Sequence, residues 1–328
     1  MTKILVLRFS SIGDIVLTTP VVRALKQQLP AARIHYATKL NFRSVVEHNP
    51  YIDQVHYLRE NVSDLIAELK AEKFDYVVDL HHNLRTSFIK FKLGVPSKSF
   101  DKLNVKKWLL VRFKVNKLPA VHIVDRYLAA ASELGVKTDD QGLDYFIPAA
   151  DEVKLADLPH THQNGYYAFA IGAQHATKRL PTERIIEVCT KINAPVILLG
   201  GKEDAATAEE ITKFFHSRAT NHEQETIIYN ACGKYNLNQS ASLVKQAIAV
   251  FSHDTGLMHI ASACKKKIYS IWGNTVPEFG MYPYKTDFLV FERPNLYCRP
   301  CSKIGYSKCP QGHFKCMREI NFDFELNH

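Results

Sequence analysis

The chain is built from short apolar runs, each stopped by a polar or glycine-bearing turn and followed by a stretch whose apolar residues recur at helical spacing. KILVLRF opens the series and SSIGD leads from it into a periodic stretch ending near Leu29. RIHYATK and DQVHYL read as further strands, Val62 to Glu72 as a helix, and FDYVVDLH as a buried strand ending in polar residues. Runs this short and this apolar suit strands covered on both faces. Strands alternating with helices predict a parallel sheet with helices on either side, an α/β doubly wound architecture.

The alternation lapses once, after Pro148, in the polar stretch DEVKLADLPHTHQNG, and resumes with YYAFAIG. PVILLGG, IIYNACG, AVFSHDTG and KIYSIWG follow as strands, with helices opening near Thr182, running from about Ala205 to Phe215, lying around Leu243 and starting at Leu257. The boundary therefore falls at residues 150/151, giving two Rossmann-like domains, 1–150 and 151–328, which in tandem usually work across the cleft between them. A length of 328 residues with 46% hydrophobic content is ample for two cores. No repeat of solenoid period and no low-complexity segment is found.

No apolar run approaches the roughly 20 residues of a membrane-spanning helix, and ILVL is broken at once by Arg8. A cytoplasmic protein without secretory signal or anchor is expected, with its 7 cysteines reduced. The formal net charge of +9 suits an anionic partner. From Lys90 to Lys117 nine lysines and arginines stand against the single acid Asp101. Such a run can be a solvated face, but KKWLLVRFKVNK mixes cations with apolar residues and suits an amphipathic element at a membrane surface. It would also suit stacking on nucleic-acid bases through Trp108 and Phe113.

The stretch most informative about chemistry is FSHDTGLMHIASA. A strand ending at His253 passes through Asp254, Thr255 and Gly256 into a helix, so unpaired N–H groups and a hydroxyl gather at the helix's positive end. That arrangement can hold a diphosphate, and it can equally be an ordinary helix cap. Gly273-Asn274-Thr275, after the adjacent strand, should land beside it.

HDTGLMHIASA followed by IYSIWGNTVP resembles the donor-site signature of the family 9 glycosyltransferases, the ADP-heptose:lipopolysaccharide heptosyltransferases. The opening ILVLRFSSIGDIVLTTP resembles that family's start, and DLHHNLRTS, DRYL, LLGGKED and the cysteine-bearing tail are similar in turn, so the likeness spans nearly the whole chain. It implies a GT-B fold, with an acceptor-binding first domain, a nucleotide-sugar-binding second domain and inverting transfer of a sugar, by implication heptose from ADP-heptose, to an acidic glycolipid of the lipopolysaccharide core. No cofactor or metal is implied beyond the nucleotide sugar. Localisation by the same likeness is cytoplasmic and peripheral at the inner face of the membrane, with no nucleic-acid partner.

Carried over position by position, the resemblance makes Asp14 the catalytic base, with Ser11, Gly13, Arg85 and Arg126 at the acceptor. Lys178 meets the donor phosphates, and Asp204 or its neighbour Glu203 the ribose. Asp254, Thr255, Gly256, Leu257 and His259 complete the donor site. His253 and Leu257 depart from the residues usual at their places and bear on sugar specificity. A GT-B transferase with another nucleotide sugar remains the alternative within enzymes, and a basic nucleic-acid-binding protein the alternative outside them. The tail cysteines, Cys298-x-x-Cys301 with Cys309 and Cys316, read first as reduced packing thiols and second as a structural zinc site.

Overall fold

The computed structural model describes residues 2–217 and 227–326. The chain divides into two compact units: Met1–Asn104 with Pro119–Phe146, and Val105–Leu118 with Ile147–His328. The second division falls at 146/147, and the excursion Val105–Leu118 counts with the second unit.

The first unit comprises β1 (Lys3–Leu7), α1 (Ile12–Val16), α2 (Thr19–Gln28), β2 (Arg33–Lys39), α3 (Arg43–Val46), β3 (Gln54–Leu58), α4 (Val62–Glu72), β4 (Tyr76–Asp79), α5 (Leu84–Leu93) and β5 (Ser97–Ser99). Next come α6 (Asn104–Phe113), all but its first residue in the second unit, and α7 (Ile123–Ala131), back in the first. The sheet is parallel throughout, in the order β3-β2-β1-β4-β5. Central β1 is therefore apolar without alternation, and Ile4, Leu5, Val6 and Leu7 are fully buried. Local signals set the helix ends: Pro20 in the first turn of α2, the reciprocal Asn83–Thr86 cap of α5, and Gly94 with φ +68° closing α5. Arg23 of α2 is almost wholly buried and donates to Asp139, Asp144 and the carbonyl of Gly142, which pins the end of this unit's chain to its second helix.

The second unit holds β6 (Tyr167–Ala170), α8 (Thr182–Ile192), β7 (Val196–Leu199), α9 (Ala205–His216), β8 (Ile228–Asn230), α10 (Leu237–Gln246), β9 (Ala249–His253), α11 (Gly256–Ala263), β10 (Lys267–Trp272), β11 (Phe288–Glu292) and α12 (Lys315–Arg318). Its strands are also parallel, in the order β11-β10-β9-β6-β7-β8. Phe251 of β9 stacks on Tyr269 of β10 at 4.4 Å, and Phe291 and Phe324 extend this aromatic layer. Among the described residues no helix is long and apolar enough to cross a membrane.

Buried His35 and His253 and half-buried His81 stay neutral. His35 of β2 and His56 of β3 share a 2.9 Å hydrogen bond between ring nitrogens, and His56 is bonded in turn to Glu68. Burial, then His56, lowers His35 to a pKa of about 4; burial first also lowers His81 to about 4 and His253 to about 3. The unfolded chain binds these protons near pH 6.5 and the folded chain does not. Each histidine thus contributes stability that is complete above pH 6.5 and declines on acidification, by about 1.4 kcal/mol per pH unit. Urea midpoints should be flat from pH 8 to 7 and fall steadily from pH 6.5 to 5, less steeply in His35→Asn. A midpoint constant from pH 7 to 5 contradicts the neutral, buried assignment.

Candidate active site

In a parallel sheet the loops leave the carboxyl ends of neighbouring strands in opposite directions where the strand order reverses, and a crevice opens there. Each unit has one such point, between β1 and β4 in the first and between β6 and β9 in the second.

In the first unit, Arg8 stands at the end of β1 and is 7% exposed. Its guanidinium reaches Asp14 (2.6 Å), the carbonyl of Leu80 beyond β4 (2.5 Å), the Tyr127 hydroxyl (2.9 Å) and the Ser10 carbonyl (2.8 Å). Burial opposes its charge, yet Asp14 and the neighbouring phenols outweigh this and its pKa is raised. Asp14 is also tied to Ser11, whose backbone N–H and hydroxyl both donate to the second carboxylate oxygen, at 3.1 and 2.8 Å. Its side chain remains 19% accessible, so a carboxylate fixed from two sides still meets solvent. Ser11 is exposed and Gly13 buried beneath it. The guanidinium of Arg85 lies 5.8 Å over the ring of Phe9, beside the same switch point. Arg126 is buried and donates to the Asp101 carbonyl at 3.2 Å; burial lowers its pKa.

In the second unit, Lys178 follows β6 and Asp254 follows β9, and their side chains meet at 2.5 Å across the switch point. Thr275, from the loop after β10, donates to the same Asp254 oxygen at 3.0 Å. Three loops distant in sequence thus converge on one carboxylate. Thr255 caps α11 and Gly256 is its first residue, so free N–H groups of an eight-residue helix open beside this cluster. Leu257 is half-buried, and His259 is 2% exposed within the helix body. His253 is fully buried; its Nε2 accepts from the Leu180 N–H at 3.0 Å, fixing the turn just after Lys178.

The two acids after β7 separate by position. Asp204 is buried, accepts from the Gly201 N–H at 2.9 Å and lies 3.4 Å from Arg179. Burial raises its pKa even so. A Cβ at Gly172 or Gly200 would collide with its carboxylate, so these two glycines let it nest under the strand ends. Glu203 beside it is exposed.

Arg8 and Arg179 are parts of these clusters that no short motif marks, whereas Thr275 lies beside Asp254 as its loop position led one to expect; a lone arginine closing an apolar strand was the available signal for Arg8. The structure also splits the basic run. Lys90 is paired with Asp79 at 3.0 Å, Lys98 with Glu133 at 2.6 Å, and Lys114 donates to the carbonyls of Cys298 and Pro300. Lys92, Lys106, Arg112 and Lys117 stay exposed. On α5, Leu84, Phe88 and Phe91 are 92%, 46% and 78% exposed at spacings of four and three, one helix stripe. Among the described residues His35, His56 and Glu72 form a group whose ligand atoms lie within 4.8 Å of one another, but Lys3 and Gln54 already engage Glu72.

Known proteins resemble this chain in sequence and in fold. The family described as glycosyltransferase family 9 (heptosyltransferase) matches residues 62–310. Lipooligosaccharide heptosyltransferase 2 of Haemophilus ducreyi is 27% identical, over 84% of this chain and 85% of its own. Lipopolysaccharide heptosyltransferase 2 of Escherichia coli is 24% identical, over 84% of each. Among solved structures, ADP-heptose lipopolysaccharide heptosyltransferase II of E. coli superposes with a TM-score of 0.69 at 21% identity, covering 97% of this chain and 98% of its own. A family 9 glycosyltransferase of Veillonella parvula gives 0.70 at 24% identity, covering 88% and 85%. Two parallel-sheet units with the strand orders above, in a chain matched over most of its length, establish a GT-B fold, and the chain belongs to glycosyltransferase family 9, the heptosyltransferases.

Proposed function

We infer that this protein transfers a heptose from ADP-heptose, with inversion, to a hydroxyl of an acidic glycolipid acceptor in lipopolysaccharide core assembly. The observation that carries the reading is the Lys178–Asp254–Thr275 cluster at the mouth of α11, where a cation, a hydroxyl and free helix N–H groups converge. A nucleoside diphosphate brings negative charge that such a set neutralises without a metal. Asp254 holds the Lys178 ammonium in place, and Lys178 and the N–H groups of α11 bind the phosphates. Glu203, exposed next to its buried neighbour, hydrogen-bonds the ribose diol, while Asp204 shapes the floor beneath.

In the reaction the acceptor hydroxyl oxygen bonds to the anomeric carbon as the bond from that carbon to the β-phosphate oxygen breaks. The hydroxyl proton passes to Asp14, and the electron pair leaves with ADP, whose added charge Lys178 and α11 take up. Arg8 and Ser11 position the Asp14 carboxylate; Gly13 and Arg85 border the acceptor, and Arg126 supports that side from within. The exposed cations of α5 and α6, with the apolar stripe of α5, hold the enzyme to the anionic inner face of the membrane where a glycolipid acceptor resides.

Calorimetry with ADP and ADP-heptose tests the donor site. Lys178→Ala and Thr255→Ala should each weaken ADP binding, the lysine by at least about tenfold, since a charge-assisted contact is worth about 1.5–3 kcal/mol. Unchanged affinity in both folded variants, or tighter binding of UDP- or GDP-sugars than of ADP-heptose, overturns the assignment.

Asp14→Asn should cut kcat by about 10²–10⁴ with ADP affinity preserved, the usual worth of a positioned general base. Because Arg8 loses its counter-charge, a lower melting temperature is also expected, so turnover is to be measured well below it. Near wild-type turnover would show that Asp14 only caps α1 and pairs Arg8.

Cosedimentation with vesicles tests the membrane contact. Wild type should prefer anionic over zwitterionic vesicles, and Lys92→Glu with Lys106→Glu should lose most of that preference, at about 1 kcal/mol per cation. Equal binding to both vesicle types refutes it.

A further inference from the structure

The turn that leaves β4 is held by side chains along its length, and it carries a histidine that the proposed reaction does not use. Asp79, fully buried at the end of β4, accepts from the N–H groups of His81 and His82, at 3.0 and 2.7 Å. Lys90 and Ser99 hold that carboxylate in turn, at 3.0 and 3.1 Å. Asn83 and Thr86 close the turn with their reciprocal cap. A side chain rooted in such a turn is placed by the fold.

His81 stands at the switch point of the first unit. Its ring meets the fully buried ring of Phe9, just beyond β1, at 5.7 Å and nearly edge-on, and the Arg85 guanidinium lies over the same Phe9 ring. Arg8 ties this turn to Asp14. One guanidinium nitrogen donates to the carbonyl of Leu80, whose peptide bond leads into His81, and another pairs with the Asp14 carboxylate. His81, Arg85 and Asp14 therefore border the one crevice between the ends of β1 and β4.

The two ring nitrogens of His81 differ. Nδ1 is buried without a partner, while the half-buried ring keeps its exposure on the Nε2 side. A buried N–H with no acceptor costs more than a buried lone pair, so the proton belongs on Nε2. Burial first, then Arg8 and Lys102, lower the pKa to about 4, and the ring is neutral at physiological pH. It offers one N–H to whatever fills the crevice and adds no charge beside Arg8 and Arg85. Packing against Phe9 does not call for a histidine, since an apolar side chain would fill the place without stranding a buried nitrogen.

We propose that His81 is an acceptor-binding residue: its Nε2–H donates to an oxygen of the acceptor sugar next to the attacking hydroxyl and so orients that hydroxyl toward Asp14. A sugar surrounds its reacting hydroxyl with further oxygens, and a neutral donor suits one of them. The role presupposes the glycosyl transfer proposed above.

Steady-state kinetics with ADP-heptose and two deacylated core glycolipids, one lacking heptose and one ending in a single heptose, test it in wild type, His81→Leu, His81→Gln and His81→Asn. The amide nitrogen of glutamine can take the place of Nε2, and that of asparagine the place of Nδ1. His81→Leu should lower kcat/KM for the acceptor by about tenfold, the upper end of a neutral hydrogen bond's worth, while KM for ADP-heptose and the Kd of ADP stay as in wild type. Its melting temperature should be equal or higher, because the stranded nitrogen is gone. His81→Gln should recover most of the lost activity and His81→Asn little of it. A loss in His81→Gln as deep as in His81→Leu would mark proton transfer by the ring and overturn the hydrogen-bonding role. Wild type inactive with both glycolipids would overturn the proposed function and this role together, whereas active wild type with unchanged acceptor kinetics in His81→Leu overturns this role alone.

Discussion

The carboxylate of Asp254 is the point at which three strand-end loops of the second unit are joined. It stands after β9 and ties Lys178, from beyond β6, to Thr275, from beyond β10. A lysine ammonium held this way does not wander over the strand ends, so a cation and a set of helix N–H groups stay aimed at one place. The arrangement is possible because β6 and β9 are neighbours in the sheet although α8, β7, α9, β8 and α10 separate them in the chain.

Arg8 plays the matching part in the first unit. It is buried, charged and fully engaged, and its contacts run to the loop after β1, the end of β4 and α7. A buried guanidinium of this kind is costly to desolvate and tolerable only with its partners in place. It fixes the Asp14 carboxylate from one side while Ser11 fixes it from the other, so a side chain in the first turn of α1 is held in one orientation.

Most elements were legible in the sequence. RIHYATK is β2 and Val62–Glu72 is α4 to the residue, because a short run rich in strand-forming residues between turn signals and an amphipathic period are both local patterns. The short edge strands β5 and β11 were not seen, since SKS has no apolar pattern and FLVFE is half exposed. The basic run Lys90 to Lys117 read as one feature, yet it splits into paired and outward-facing cations, and part of it packs with the second unit through Leu110, Val276 and Phe279. Charge in sequence does not say which cations find a carboxylate.

By itself the sequence determined two parallel α/β units, the strand-to-helix turn after His253 and membership in a recognisable family, because strand and helix periods and loop motifs are local properties of the chain. Only the tertiary structure decided that Asp254 joins Lys178 to Thr275, that Arg8 holds Asp14, and that Asp204 is buried while Glu203 is exposed. These depend on strand order and on which side chains are buried together, which follow from packing the whole sheet and its helices and are encoded in no single stretch of residues.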